Sequence, residues 1–175
     1  MKQIETLRLL LRPIEPGDAE AYFLLESNPQ VKKFLGETTA RSVAFYRQQI
    51  AAAGHSSRTL GITLKNGGLF IGRCGFTHNA LVEGWEINIV LGPLHWGCGY
   101  GKEVGGLLQH GFDELRVDTI FGAVDAEHSR SIALCKSLDM QFQPQLQFTK
   151  LRRPVQVFTS GRTLPRYDGG CLALP

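Results

Sequence analysis

The chain has no long apolar run. Its first apolar stretch, residues 9–11, is bracketed by Arg8 and Arg12, far short of the roughly 20 residues a membrane span needs and of a signal core. We therefore expect neither membrane insertion nor export. Cysteine is sparse and scattered: Cys74, Cys98, Cys135 and Cys171 form no C-x-x-C pair and no cluster with histidine. That pattern argues against a metal centre or a disulfide framework and for a reducing, cytoplasmic setting. Charge of one sign is not in large excess either; a net +3 gives no case for a nucleic-acid partner. Charged residues at 20% and hydrophobic ones at 43% are ordinary globular shares, which excludes wholesale disorder. No repeat, low-complexity linker or boundary interrupts residues 1–175, so we expect a single domain. Its Pro- and Gly-rich end, residues 161–175, reads as a loose tail.

What is present is an alternation of strand and helix signals. Leu7 to Ile14 reads as a strand, and Gly17-Asp18 opens a helix reaching about Asn28, with Asp18 as its cap. A second helix spans Thr39 to Ala53 and stops at Gly54. Strands Arg58 to Leu64 and Leu69 to Thr77 flank the hairpin turn Asn66-Gly67-Gly68. Further strands are Trp85 to Leu91 and Thr119 to Val124; Ser129 to Leu138 is a helix, and Leu146 to Leu151 with Val155 to Thr159 a last hairpin. The strand–helix–strand unit from Trp85 to Val124 requires a parallel pair, whereas the hairpins require antiparallel neighbours. The class is α/β: a mixed, mostly antiparallel sheet of about seven strands flanked by helices.

The densest signal is the glycine turn from Gly92 to Glu103. Val104, Leu107, Leu108, Phe112 and Leu115 follow it at helical spacing, so the glycines stand where a helix begins. Backbone amides there attract anions, and only residues without a Cβ let the main chain approach a phosphate closely. A nucleoside-triphosphate loop needs a glycine five residues before its Gly-Lys-Ser/Thr, but that place holds Trp96, and Glu103 stands at the hydroxyl position. The dinucleotide pattern Gly-x-Gly-x-x-Gly fails too, because Lys102 occupies its third glycine.

Trp96-Gly-Cys-Gly-Tyr-Gly-Lys-Glu103 resembles instead the coenzyme A pyrophosphate loop of GNAT acetyltransferases, in the branch of the ribosomal-protein N-terminal acetyltransferases. The resemblance covers most of the chain. Glu5 to Pro13 with Gly17 to Ala21 is similar to that branch's first strand and helix, Gly72 to Phe76 to its third strand, and Trp85 to Leu91 to its fourth. Asp125 to Ser131 with Ala133 to Phe142 resembles the segment around its last long helix. There His128 stands at the usual Asn and Asp139-Met140 replaces the usual Gly-Phe, while Ser131 keeps the family residue.

The resemblance implies a GNAT fold with a splayed parallel strand pair and acetyl-CoA as donor. The coenzyme would contact the backbone of Ile87, Ile89 and Leu91, the turn Trp96, Gly97, Cys98, Gly99, Tyr100, Gly101 and Lys102, and His128. No metal is implied. The acceptor would be a primary amine, on a peptide N-terminus or a small molecule, in a monomer or homodimer. Only a neutral amine is nucleophilic: deprotonation at pH 7 costs a lysine about 4.6 kcal/mol, and an α-amine only about 1 to 1.4. Glu86 is the leading candidate base; an exposed strand acid or an arginine partner is the structural alternative. Ser131 is placed to protonate the departing sulfur, unless it merely starts a helix. His128 is a further candidate base or hydrogen-bonding group. Many enzymes of that family use a tyrosine where Cys135 stands; a cysteine there could donate a proton, although a buried, inert thiol is the commoner case. Trp96 suits packing, Cys98 is a thiol inside the turn, and Lys102 either pairs with a phosphate or is solvated.

Two questions stay open at this level. The basic residues after Met140, namely Lys150, Arg152, Arg153, Arg162 and Arg166, are either a charged hairpin edge or contacts to an acidic ligand. The segments that would frame an acceptor supply Phe34, Phe45, Tyr46, Phe148 and Arg152 without a readable pattern. A noncatalytic acyl-CoA sensor of the same fold is the rival to the enzyme, and a nucleotide-binding protein is a third reading.

Overall fold

A computed structural model describes residues 1–35, 41–54, 57–80, 82–150 and 153–161. In chain order its elements are β1 (Ile4–Glu5), β2 (Leu9–Pro13), α1 (Ala19–Ser27), α2 (Pro29–Leu35), α3 (Val43–Ala53), β3 (Thr59–Leu64), β4 (Phe70–Asn79) and β5 (Gly84–Leu91). There follow α4 (Tyr100–Val104), α5 (Leu107–Leu115), β6 (Thr119–Asp125), α6 (Ser129–Ser137), β7 (Gln141–Lys150) and β8 (Arg153–Gly161). The eight strands are ordered β1-β2-β3-β4-β5-β6-β8-β7. As expected, β5 and β6 run parallel, whereas β1–β2, β2–β3, β3–β4, β6–β8 and β8–β7 are antiparallel. The strand beyond the expected seven is β1, which pairs Ile4 with Leu11 and Glu5 with Leu10. The parallel register holds only at Trp85↔Ile120 and Glu86↔Phe121, although both strands run on.

Backbone contacts divide the chain into two compact units: Met1–Gly75 with Asn88–Val104, and Phe76–Ile87 with the chain from Gly105 onward. In the first, Leu25, Val31 and Val90 form a buried cluster closed by Leu35, Phe70 and Trp96. Several boundaries differ from expectation, each for a local reason. Asp18 precedes α1 but does not cap it; its carboxylate turns back to accept from the Glu15 amide and from both Nη atoms of Arg12. Pro29 ends one helix and begins another: its fixed φ and missing N–H suit a first helical position, and Asn28 Oδ1 accepts from the Gln30 amide. The second expected helix starts at Val43, because Ser42 is extended and its Oγ caps the Phe45 amide at 3.1 Å. Thr39 and Ala40 lie outside the described residues.

The second unit carries a buried cluster of Val82, Phe121, Leu146 and Val157. Here α5 approaches the sheet so closely that a Cβ on Gly111 would lie 2.3 Å from Phe76 Cζ. The single helix expected after the glycine turn is broken into α4 and α5 at Gly105-Gly106, two adjacent residues that lose the most conformational freedom in a helix. At the end of α6, Asp139 adopts φ 56°. The Asp139 amide donates to Lys136 O and the Met140 amide to Cys135 O, the paired bonds of a Schellman cap. The family glycine thus has its conformational counterpart in Asp139, and buried Met140 stands where the family places its Phe. The last hairpin begins at Gln141, five residues before expectation, with a register shift between Phe142 and Gln147; Pro144 and the glutamines mask the strand pattern.

Candidate functional site

In the first unit the chain leaves β5 through a turn at Pro93–His95 and enters the glycine loop. Trp96 anchors its root: the ring packs on the Leu25–Val31–Val90 cluster, and Nε1–H donates to Leu91 O at 2.8 Å. Gly97 and Gly99 follow with φ of 75° and 80°, a left-handed conformation that a branched side chain resists. Among the described residues, the amides of the six residues from Gly97 to Lys102 donate to no protein acceptor. The next amide, of Glu103, donates to Gly99 O at 3.2 Å. Gly97, Cys98, Gly99 and Lys102 are exposed, and Tyr100 and Gly101 half-buried. Since α4 is only five residues long, the loop amides rather than a long helix dipole make this a place for an anion.

The loop is braced from the N-terminal segment, which sequence reading missed. Glu103 accepts from the Thr6 hydroxyl at 2.6 Å, from the Arg8 amide at 2.6 Å and from Arg8 Nε at 2.7 Å. Burial pushes the Glu103 carboxyl up, but these bonds and the Arg8 charge outweigh it and hold the group below the ordinary carboxylate range. Arg8 Nη1 donates to Cys98 O at 3.0 Å, and its guanidinium lies 4.4 Å from the Tyr100 ring centroid. Glu103 is thus the clasp that fixes the loop.

The same unit contains a buried ion pair, Arg73 Nε to Glu26 Oε1 at 2.6 Å. Burial works against the Arg73 charge, yet Tyr22, Glu26 and Tyr46 together keep its pKa raised; burial also raises Tyr22. Beside them is a cavity of about 260 Å³ lined by Ile14, Tyr22, Phe45, Tyr46, Gln49 and Ile50 among others. Phe45 and Tyr46, both flagged by position, meet edge to face with centroids 5.7 Å apart. Phe148's side chain and all of Arg152 fall outside the described residues.

In the second unit Glu86 is 5% exposed and accepts from Asn79 Nδ2 at 3.2 Å. It is therefore not an exposed strand acid. Ile87 on the same strand is half-buried, as in the first unit are Ile89 and Leu91. His128 is the residue before α6 and Ser131 lies in that helix's first turn, both half-buried. Every amide of the turn from β6 into α6 is satisfied: Ala126 donates to Pro154 O, Glu127 to Asp125 Oδ1, His128 to Asp125 O and Ser129 to Glu127 O. Arg153 clamps it, with Nε 2.8 Å from Asp125 Oδ2 and Nη2 2.7 Å from Glu127 Oε2. That bonding differs from both sequence readings of this arginine, edge charge and ligand contact. Lys150's side chain and Arg162 and Arg166 are outside the described residues. Cys135 is buried, its thiol pushed up to about 11 by burial; Cys74 is pushed up to about 12 for the same reason. Among the described residues no His, Cys, Asp and Glu gather into a metal-holding group, and no helix is long and apolar enough to cross a membrane.

A family model for the acetyltransferase (GNAT) domain matches residues 8–141, running through both units. The chain belongs to the GNAT acetyltransferase family. It is 34% identical over 149 residues to an uncharacterized N-acetyltransferase of Bacillus licheniformis, covering 81% of this chain and 83% of the relative. Two similar solved folds are a GNAT-family acetyltransferase from Bacillus anthracis and the spermidine N-acetyltransferase of Vibrio cholerae in complex with CoA and spermine. The first aligns with TM-score 0.74 at 21% identity, covering 90% of this chain and 96% of the other. The second aligns with TM-score 0.72 at 19% identity, covering 88% and 95%. The chain is thus an acetyltransferase with the GNAT fold, and enzymes of this family take their acetyl group from acetyl-CoA. The open amides around Gly97 and Gly99 suit the diphosphate of that donor, since each bond from an N–H to a phosphate oxygen is worth about 1.5 to 3 kcal/mol.

Proposed function

We propose that this GNAT enzyme, a single N-acetyltransferase domain, transfers the acetyl group of acetyl-CoA directly to a primary amine. The observation that carries the reading is the run of unspent amides from Gly97 to Lys102, which takes the donor's diphosphate. The acyl arm then lies along the backbone of Ile87, Ile89 and Leu91 in β5. Glu86, directly or through water, removes the proton of the attacking ammonium. The amine nitrogen bonds to the thioester carbon, and as the tetrahedral intermediate collapses the C–S bond breaks and the nitrogen loses its second proton to solvent, which in turn reprotonates Ser131. Ser131 donates a proton to the departing thiolate, and His128 hydrogen-bonds the donor.

The acceptor is a protein N-terminus or a small-molecule amine. Two observations favour the small molecule: the aromatic-lined cavity beside Tyr22 and Tyr46, and the spermidine acetylation named for a protein of similar fold. The likeness of residues 5–13 and 17–21 to the ribosomal-protein branch supports the peptide N-terminus. Incubating the protein and acetyl-CoA with peptides, polyamines, aminoglycosides and amino acids, and measuring thiol release, decides between them. We expect turnover with one class, reduced at least about tenfold in Glu86→Gln and in Ser131→Ala. Binding of acetyl-CoA without thiol release on any class would establish the sensor instead.

A further inference from the structure

The guanidinium of Arg8 is held by Glu103, Cys98 O and the Tyr100 ring, and most of its hydrogen-bonding capacity is unspent. Its side chain is 44% exposed. Of the five N–H groups an arginine carries, Nε serves Glu103 and one on Nη1 serves Cys98 O. The other N–H of Nη1 and both of Nη2 have no acceptor among the described residues. The Tyr100 ring covers one face at 4.4 Å, so the head is fixed on three sides. Its free edge borders the glycine loop: Nη2 lies 3.5 Å from where a Cβ on Gly99 would be. Within residues 92–103 the lysine and arginine content is Lys102 alone. Arg8 therefore brings to the loop a second cation that the loop sequence itself lacks.

We infer that Arg8 is a binding residue for the donor's diphosphate: Glu103 and Cys98 O aim it, and its Nη2 donates to a phosphate oxygen seated on the amides of Gly97 to Lys102. This rests on the acetyl-CoA reading above. A carboxylate on one edge and a phosphate on another is an ordinary use of the planar guanidinium fork, which a lysine cannot reproduce. Arg8 thereby links the N-terminal segment to the occupancy of the loop.

Calorimetric titration of acetyl-CoA and, separately, ADP into the wild-type protein, Arg8→Gln and Arg8→Lys tests the inference. Circular dichroism melts would check that each variant is folded. We expect Kd for both ligands to rise about 10- to 30-fold in Arg8→Gln, by a similar factor because the lost contact is to the shared diphosphate. Arg8→Lys, which keeps the charge but not the fork, falls between. Kd for acetyl-CoA within twofold of wild type in folded Arg8→Gln or, should that variant not fold, in Arg8→Lys would reduce Arg8 to a brace. Weaker acetyl-CoA binding with unchanged ADP binding would remove the diphosphate as its target. A wild-type protein that binds neither ligand overturns the acetyl-CoA reading itself, and the inference with it.

Discussion

The loop at residues 97–102 and the turn at residues 126–129 are each fixed by an arginine from a distant strand or strand entry, yet their hydrogen-bond accounts are opposite. Arg8 fixes the first by holding a carbonyl, Cys98 O, and a carboxylate, Glu103, and leaves the amides of Gly97 to Lys102 without protein acceptors. Arg153 fixes the second through Asp125 and Glu127, and every amide from Ala126 to Ser129 is spent inside the protein. Backbone donors that a fold leaves unpaired must find a partner elsewhere. The contrast therefore separates a main-chain surface whose donors stay open to solvent or a ligand from a mount for side chains whose donors are all spent. His128 and Ser131 sit on the mount, where function would have to come from their side chains.

Gly99→Val attacks the comparison hardest. A β-branched residue at φ 80° displaces the loop amides, and affinity for acetyl-CoA should fall about 100-fold or more with circular dichroism unchanged; retained affinity would show that the open amides are not the site. Arg153→Ala should do the converse. With the turn unclamped, kcat should drop about tenfold because small displacements of reacting groups are costly, while calorimetric affinity for acetyl-CoA, which loses at most the His128 contact, falls by less. A loss of affinity equal to the loss of rate would erase the distinction between the two regions.

Glu103 gives a smaller effect, visible in acid. Its folded pKa is depressed, so its contribution to stability is fully present above the unfolded value, about 4.3, and is lost as pH falls through the lower folded value. The gap in melting temperature between wild type and Glu103→Gln should thus be widest near neutrality and close below about pH 4. A gap independent of pH would mean that the carboxylate charge does not hold the loop. Smallest is Asp139→Gly, which relieves a left-handed residue at the end of α6 and should stabilise the protein by about 0.5 to 1 kcal/mol in denaturant titration. Unchanged kcat alongside that gain would show that the departure from the family Gly-Phe pair is a matter of stability alone.

Much of the fold was legible because glycine punctuates it. The turn at Asn66-Gly67-Gly68 takes φ of 84° and 66° at its glycines, and Gly97 and Gly99 mark a loop whose conformation demands them. Features carried by few residues were not legible: β1 has two, and α2 hides behind a proline that normally reads as a stop. Long-range partners were invisible for a different reason. Arg8 and Glu103 are 95 positions apart, and no local periodicity records that a strand entry and a helix turn will meet. The burial of Glu86 was likewise unavailable from alternation along β5, since Trp85 and Ile87 on either side are only half-buried. The acceptor left the faintest trace, because apolar side chains that line a cavity look in sequence like those that fill a core.

Trp96 stands immediately before Gly97, with its indole donating to Leu91 O, and the chain contains just one other tryptophan, Trp85. Replacing Trp85 with phenylalanine would therefore leave a single tryptophan, at the root of the loop, which can be excited apart from the four tyrosines. Its emission would follow donor arrival in real time, in a rapid-mixing instrument and without a label.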